Sequence, residues 1–306
     1  MHISATMGPT EVRDTPRHWL HRAASAAVVV VMVIVASSAY LRQASVRISC
    51  PDWPACAQRV TGEDPARAQP AAVSAVRLVH RLSASIVGAL VLLIAYLSSV
   101  QQPRVRSDVV LSAALVLLTV FLAVLGRWSR SSQGPLVTLG NLLGGMTLLA
   151  LLHWMALRTS RVQASAVEAG LIAPVAGAAL AVALAGVALG ALVSGSSHAL
   201  SAAHAASGGM LGPAHLLSGM LALVLTGTLA LHAAARGNGR GIGVAAFTLA
   251  IAQAMTGWIS TRFDYPLAAA LAHNLLAALL LIALVTAAHR YIGSSSRASL
   301  THSKQD

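Results

Sequence analysis

Three histidines and one asparagine stand in or at the edge of long stretches that otherwise hold no charge: His215, His273 and Asn141 within them, and His80 just before one. A neutral imidazole offers a nitrogen lone pair to a metal, and it can pass a proton near neutral pH. Polar residues of this kind within apolar runs are functional candidates by default. A second constellation is CPDWPAC at 50–56, whose Cys50 and Cys56 are the only cysteines in the 306-residue chain. Two prolines stiffen the backbone between them. A disulfide across so short a loop needs the two Cα atoms within about 7 Å. The pair could be structural, or it could be reduced and reoxidised. A metal site is disfavoured there, because no second pair of ligands lies nearby in sequence.

The elements that must position these residues follow from composition. The chain is 56% hydrophobic and 10% charged, with a mean hydropathy of +0.72. Residues 23–41, 82–103, 109–126, 131–157, 241–261 and 265–289 contain no Lys, Arg, Asp or Glu. A longer run, 169–235, is interrupted by the Gly/Ser/His stretch at 194–213 and reads as two spans. A bilayer core of ~30 Å takes about 20 apolar residues as helix. In lipid each segment must also bond its own backbone. The expectation is an all-α integral membrane protein of eight transmembrane helices. The first run is longer than a signal-peptide core of roughly 7–15 residues, so it is read as an uncleaved first helix.

The net charge of +12 comes almost wholly from arginine, placed singly or in pairs at helix ends. With no basic stripe interleaved with aromatics, nucleic acid is excluded as a partner, and the lipid bilayer is the expected one. The positive-inside rule places Arg13, Arg17, Arg22, Arg104, Arg106, Arg158, Arg161, Arg236, Arg240, Arg290, Arg297 and Lys304 on the cytoplasmic side. Both termini are then cytoplasmic, and the cysteine loop faces outward, where disulfides persist.

The helices fall into two similar units. HRLSASIVGALVLLIA at His80 parallels HLLSGMLALVLTGTLA at His215, and GPLVTLGNLLGGMTLLALL (134–152) parallels YPLAAALAHNLLAALLLIA (265–283). Two tandem four-helix bundles are expected. Residues 1–22 form an N-terminal segment, 23–160 the first half with its outer loop at 42–76, 161–292 the second half, and 293–306 a tail. His80, Asn141, His215 and His273 then lie near the outer starts of the even-numbered helices.

Positions three and four further on share each polar residue's face. They are Ser83 and Ala84, Gly144 and Gly145, Ser218 and Gly219, Leu276 and Ala277, nearly all small. Small residues there would clear space for a flat cofactor beneath an axial histidine, and bis-histidine ligation between facing helices holds haem iron in bundles. Equally, small residues allow close helix packing, with the histidines bonded to one another or to carbonyls. Arg77, Arg81, Arg127 and Arg262 lie at the same outer depth. A guanidinium fork there could pair with haem carboxylates, cap helix carbonyls or reach lipid phosphates. His153, His232 and His289 lie toward the inner ends, and His198 and His204 fall in the outer loop before helix 6.

CPDWPAC followed by VHRL (79–82) resembles the haem A synthase family, in which such a loop follows helix 1 and a histidine begins helix 2. GPLVTLGNLLGGMTLLALL, LGALVSGSSHA, PAHLLSGM and LAHNLLAALLL are similar to its fourth-, fifth-, sixth- and eighth-helix segments, so the resemblance covers roughly 20–290. It implies a bacterial cytoplasmic-membrane oxidoreductase for terminal oxidase biogenesis. In such a protein the C-terminal half holds haem b between His215 and His273; Ser218, Gly219, Arg81, Arg127 and Arg262 are the cofactor-binding candidates that spacing and depth add. The N-terminal half takes haem O at His80 and oxidises a ring methyl to formyl, giving haem A. Cys50 and Cys56 correspond to the family's cysteine pair. Haem O synthase and terminal oxidase assembly factors are the implied protein partners, and an oligomer is compatible with the pattern.

The sequence departs from the family at two chemically loaded places. Arg77 stands where the family carries glutamate three residues before the helix-2 histidine, and Asn141 stands where many members carry histidine. A carboxylate can stabilise a cation or accept a proton; arginine does neither. An amide is a poor iron ligand and would leave His80 as a single axial ligand with an open opposite face. Two rivals follow. One is a catalytically impaired haem b-binding assembly or electron-transfer relative. The other is a small-molecule transporter, against which the clustering of polar residues at one end counts, since transporter sites lie near the midplane.

Overall fold

The computed structural model describes residues 15–49, 71–128, 135–160, 172–199, 209–236, 240–263 and 266–302. These form eight helices: α1 (Thr15–Ser49), α2 (Ala71–Val100), α3 (Arg106–Trp128), α4 (Pro135–Thr159), α5 (Ile172–Ala199), α6 (Leu211–Arg236), α7 (Arg240–Arg262) and α8 (Leu267–His302). All eight are long and apolar enough to cross a membrane, and no strand occurs among the described residues. The chain is an all-helical, multi-pass membrane protein.

The helices overrun the uncharged stretches that announce them. α1 begins at Thr15, inside the segment expected to precede the membrane, and continues to Ser49. α2 begins at Ala71, so His80 lies in its third turn rather than near its start. α8 extends through the expected tail to His302. The cause is that charge counts mark the hydrocarbon boundary, while helical hydrogen bonding can continue past it. Elsewhere proline marks the start: Pro135 opens α4 and Pro266 immediately precedes α8, where a missing N–H costs nothing.

Packing divides the bundle into two rings. α1 touches α2 and α4, and α3 touches α2 and α4; in the same way α5 touches α6 and α8, and α7 touches α6 and α8. α2 and α4 are therefore diagonal in one ring, as are α6 and α8 in the other. The rings meet along α1, α4, α5 and α8. On α1 the buried residues Leu20, Ala24, Ala27, Val31, Val35 and Ala39 recur every three or four positions and form one stripe. Between lipid-embedded helices such contacts rest on close packing, which small side chains permit. Met146, Leu149, Ala278 and Leu281 complete this shared core.

At the end where α1 begins, polar groups tie the first ring together. Asp108, 1% exposed in the first turn of α3, pairs with Arg158 at the end of α4 at 2.9 Å. Arg158 also donates to Ser107, Gln101 donates to Asp108 at 3.3 Å, and Arg17 donates to the Arg158 carbonyl at 2.8 Å. His153 on α4 bonds Thr286 on α8 at 2.8 Å, linking the two rings.

Candidate functional site

On α6, the His215 Nδ1 lies 3.0 Å from the carbonyl oxygen of Gly186 on α5. A carbonyl only accepts, so Nδ1 carries the proton and Nε2 keeps its lone pair. The ring comes close to α5 because position 190 is glycine: a Cβ there would sit 3.0 Å from His215 Cε1. Ser218, one turn on, donates to the His215 carbonyl at 2.7 Å and packs over Gly186.

His273 on α8 is held in the same manner by α7. Its Nδ1 is 3.1 Å from the Gln253 carbonyl oxygen and 3.3 Å from Thr256 Oγ1. Thr256 has its hydroxyl hydrogen directed at the Ala252 and Gln253 carbonyls, both at 3.0 Å. Both groups thus accept from Nδ1–H, and the lone pair is again on Nε2. Gly257 gives the ring its floor, since a Cβ there would lie 3.2 Å from His273 Cε1.

The two imidazoles meet across the α6/α8 diagonal with centroids 6.3 Å apart and planes at 69°. Two imidazoles bound to opposite sides of one metal ion, at nitrogen–metal lengths of about 2.0–2.1 Å, place their centres roughly 6–6.5 Å apart. Both donors are neutral, and both have the second nitrogen tied to a carbonyl, the arrangement that orients metal-binding histidines. In spacing and tautomer the two rings fit a pair of ligands to one metal ion, with the Gln253 amide nitrogen standing 3.1 Å from His273 Nε2.

The first ring is built differently. His80 Nδ1 lies 3.1 Å from Ser37 Oγ on α1. That hydroxyl donates toward the Val33 and Ile34 carbonyls at 2.8 and 3.1 Å, so it too accepts from the imidazole. Asn141 sits diagonally opposite on α4, and no hydrogen bond joins it to His80 among the described residues. The clearance expected at Gly144 is absent: the side chain of Leu122 on α3 fills it, just as Leu125 fills the space at Gly140. Gly145 remains open. Ser83 is buried, whereas Ala84 and Gly219 are exposed. Ala277, the small residue one turn beyond His273, packs into the shared core instead of lining a gap.

Arg77 is half-buried, one turn before His80, and makes no ion pair among the described residues. Arg81, Arg127 and Arg262 are exposed, the last two in the final turns of α3 and α7. Cys50, Cys56 and His204 lie outside the described residues, as does the side chain of His198. His153, His232 and His289 stand apart from the His215–His273 pair: His232 packs edge-on to Tyr291 and His289 to Trp154.

Sequence reasoning named the histidines and missed what holds them. Gln253, Thr256, Gly257, Gly186, Gly190 and Ser37 all come from odd-numbered helices. A glutamine in a charge-free run and a glycine pair four residues apart were the available signals. Arg42 was also missed: it sits two turns beyond Val35 on α1 and donates to Asn274 Oδ1 at 2.9 Å, beside His273.

Residues 17–220, more than half of the chain, match the COX15-CtaA family of cytochrome oxidase assembly proteins. The chain belongs to this family. The matched segment contains His80, Asn141, His215, Ser218 and Gly219 and stops before His273. The haem A synthase of Shewanella oneidensis is 31% identical over 153 residues, which are 45% of this chain and 46% of that relative. The match thus spans under half the length of that relative.

Proposed function

We propose that this COX15-CtaA protein is a haem A synthase-type oxidoreductase of the bacterial cytoplasmic membrane, with both termini cytoplasmic, that converts haem O to haem A. The observation that carries the reading is the His215–His273 pair, 6.3 Å apart with each Nδ1 bonded to a backbone carbonyl. A haem b held there supplies a one-electron redox centre. The protein's part is to keep each Nδ1–H on a backbone carbonyl, so that Nε2 is the free donor of each ring, and to leave room beside each Cε1 with Gly190 and Gly257. Arg81, Arg127 and Arg262 are the cations available for the carboxylates of a porphyrin at that end.

Haem O is the substrate of the other half. There His80, with its Nδ1 proton given to Ser37, offers Nε2 to the substrate iron. Asn141, diagonally across on α4, would bring no second imidazole to that iron. Oxidation of a methyl to a formyl group, with water supplying the oxygen, releases four protons and four electrons in successive steps, and the electrons would have to pass to an external acceptor that this chain does not itself supply. Cys50 and Cys56 serve this half as a redox or structural pair. Haem O synthase and oxidase assembly factors are the partners this role requires.

Two observations favour the rival in which only haem b binding survives. Arg77 stands one turn before His80 with no carboxylate near it in sequence, and Leu122 closes the space at Gly144. Spectra and pigment analysis separate the readings. Purified protein should show a reduced b-type spectrum that His215→Ala or His273→Ala abolishes; its absence from the wild type would favour transport. Cells supplied with haem O should accumulate haem A if the protein is a synthase. Haem b without haem A would establish the silent relative, and Arg77→Glu should then raise oxidation.

A further inference from the structure

The side chain of Gln253 reaches the one atom of His273 that ligation requires. Its amide nitrogen lies 3.1 Å from His273 Nε2. The orientation of that amide follows from chemistry: Nδ1 faces only acceptors and holds the proton, so Nε2 is an acceptor and must meet the NH2 end. The other end of the amide, Oε1, is buried with no hydrogen-bond partner among the described residues. A buried unpaired amide oxygen opposes stability, so the side chain is retained against a cost.

Nor is that side chain needed to orient the ring. The Gln253 backbone carbonyl, Thr256 and Gly257 already fix its tautomer and its plane. Nε2 has a single in-plane lone pair, which holds either a hydrogen bond or a metal. His215 carries no comparable side-chain cap on its Nε2 among the described residues, so the two imidazoles are unequal.

We propose that Gln253 is a positioning residue that caps His273 Nε2 and must yield it when haem binds, making uptake by this half a gated step in which His215 is the freely available ligand. This rests on the haem b reading of the pair.

The test is a haem titration of full-length protein produced without a haem supply, followed by Soret absorbance at equilibrium and by stopped flow. Gln253→Met keeps the length and removes the donor; Gln253→Leu also removes the donor with a shorter, branched side chain that cannot ligate iron, and helical circular dichroism reports folding. Both variants should bind haem about three- to tenfold more tightly and faster, the worth of one hydrogen bond no longer surrendered, with the same low-spin spectrum. Gln253→Asn, too short to reach, should behave like them. Unchanged or weaker binding in the folded variants, beside a normal wild-type spectrum, would overturn the gate and leave the haem site standing. A wild type with no low-spin signal at all would overturn both.

Discussion

Replacing Gly190 with alanine tests the site through its floor instead of its ligands. The new Cβ would lie 3.0 Å from His215 Cε1, 3.5 Å from Nδ1 and 3.6 Å from Nε2. Carbon atoms rest comfortably at about 3.5–4.0 Å, so the ring must withdraw by roughly 0.5 Å. That movement carries the 3.0 Å bond to the Gly186 carbonyl toward the limit of hydrogen bonding. It also equals the tolerance of about 0.5 Å within which a functional ligand has to be held. Loss of an orienting partner of this kind lowers metal affinity by about 10–100-fold. Alanine is otherwise the better helix former by roughly 0.8–1.0 kcal/mol, so α5 should not unfold. Gly177→Ala, whose Cβ would meet nothing within 4 Å, is the control on the same helix. Haem titration with optical detection gives the answer. A Gly190→Ala protein with wild-type affinity and an unaltered spectrum would refute the claim that His215 ligates from this position.

The remaining expectations concern the rest of the bundle. Gly257→Ala, with a Cβ 3.2 Å from His273 Cε1, should weaken haem binding less than Gly190→Ala does, since the ring has less distance to recover. Ser37→Ala removes the partner of His80 and should reduce haem O binding by about tenfold, read by Soret titration, with haem b untouched. Asp108→Ala leaves Arg158 without its carboxylate. Because Arg158 is 30% exposed, the loss should be about 2 kcal/mol, below the range for a wholly buried pair. Unfolding in detergent measures it, and a change under about 0.5 kcal/mol would contradict a structural role for the pair.

Helix number and the placement of His215 and His273 could be read from the sequence because the bilayer imposes a length and forbids stray charge. Helix limits could not. The rule that marks them concerns charge, whereas Ser49 and His302 end helices that run on outside the apolar layer. Small residues beyond the polar ones leave open space at Gly145 and Gly219 but not at Gly144. Spacing along one helix says which residues share a face, but not which neighbour arrives there, and at Gly144 the neighbour is Leu122. The cradle of the histidines was invisible for the same reason: Gly186, Gly190, Gln253 and Gly257 act from adjacent helices, and their meaning is a distance rather than a pattern. The cysteine loop, the most specific signal in the sequence, lies outside the described residues.

One helix, α1, answers to both imidazole centres: Ser37 receives His80, and Arg42 grips Asn274 next to His273. The two contacts stand little more than one turn apart, so a slide or rotation of the whole helix would displace both at once, whereas loss of a single hydroxyl such as that of Ser37 acts on one alone. The helices α2, α3, α6 and α7 each touch the members of a single ring, so a rigid shift of any of them stays on its own side of the bundle.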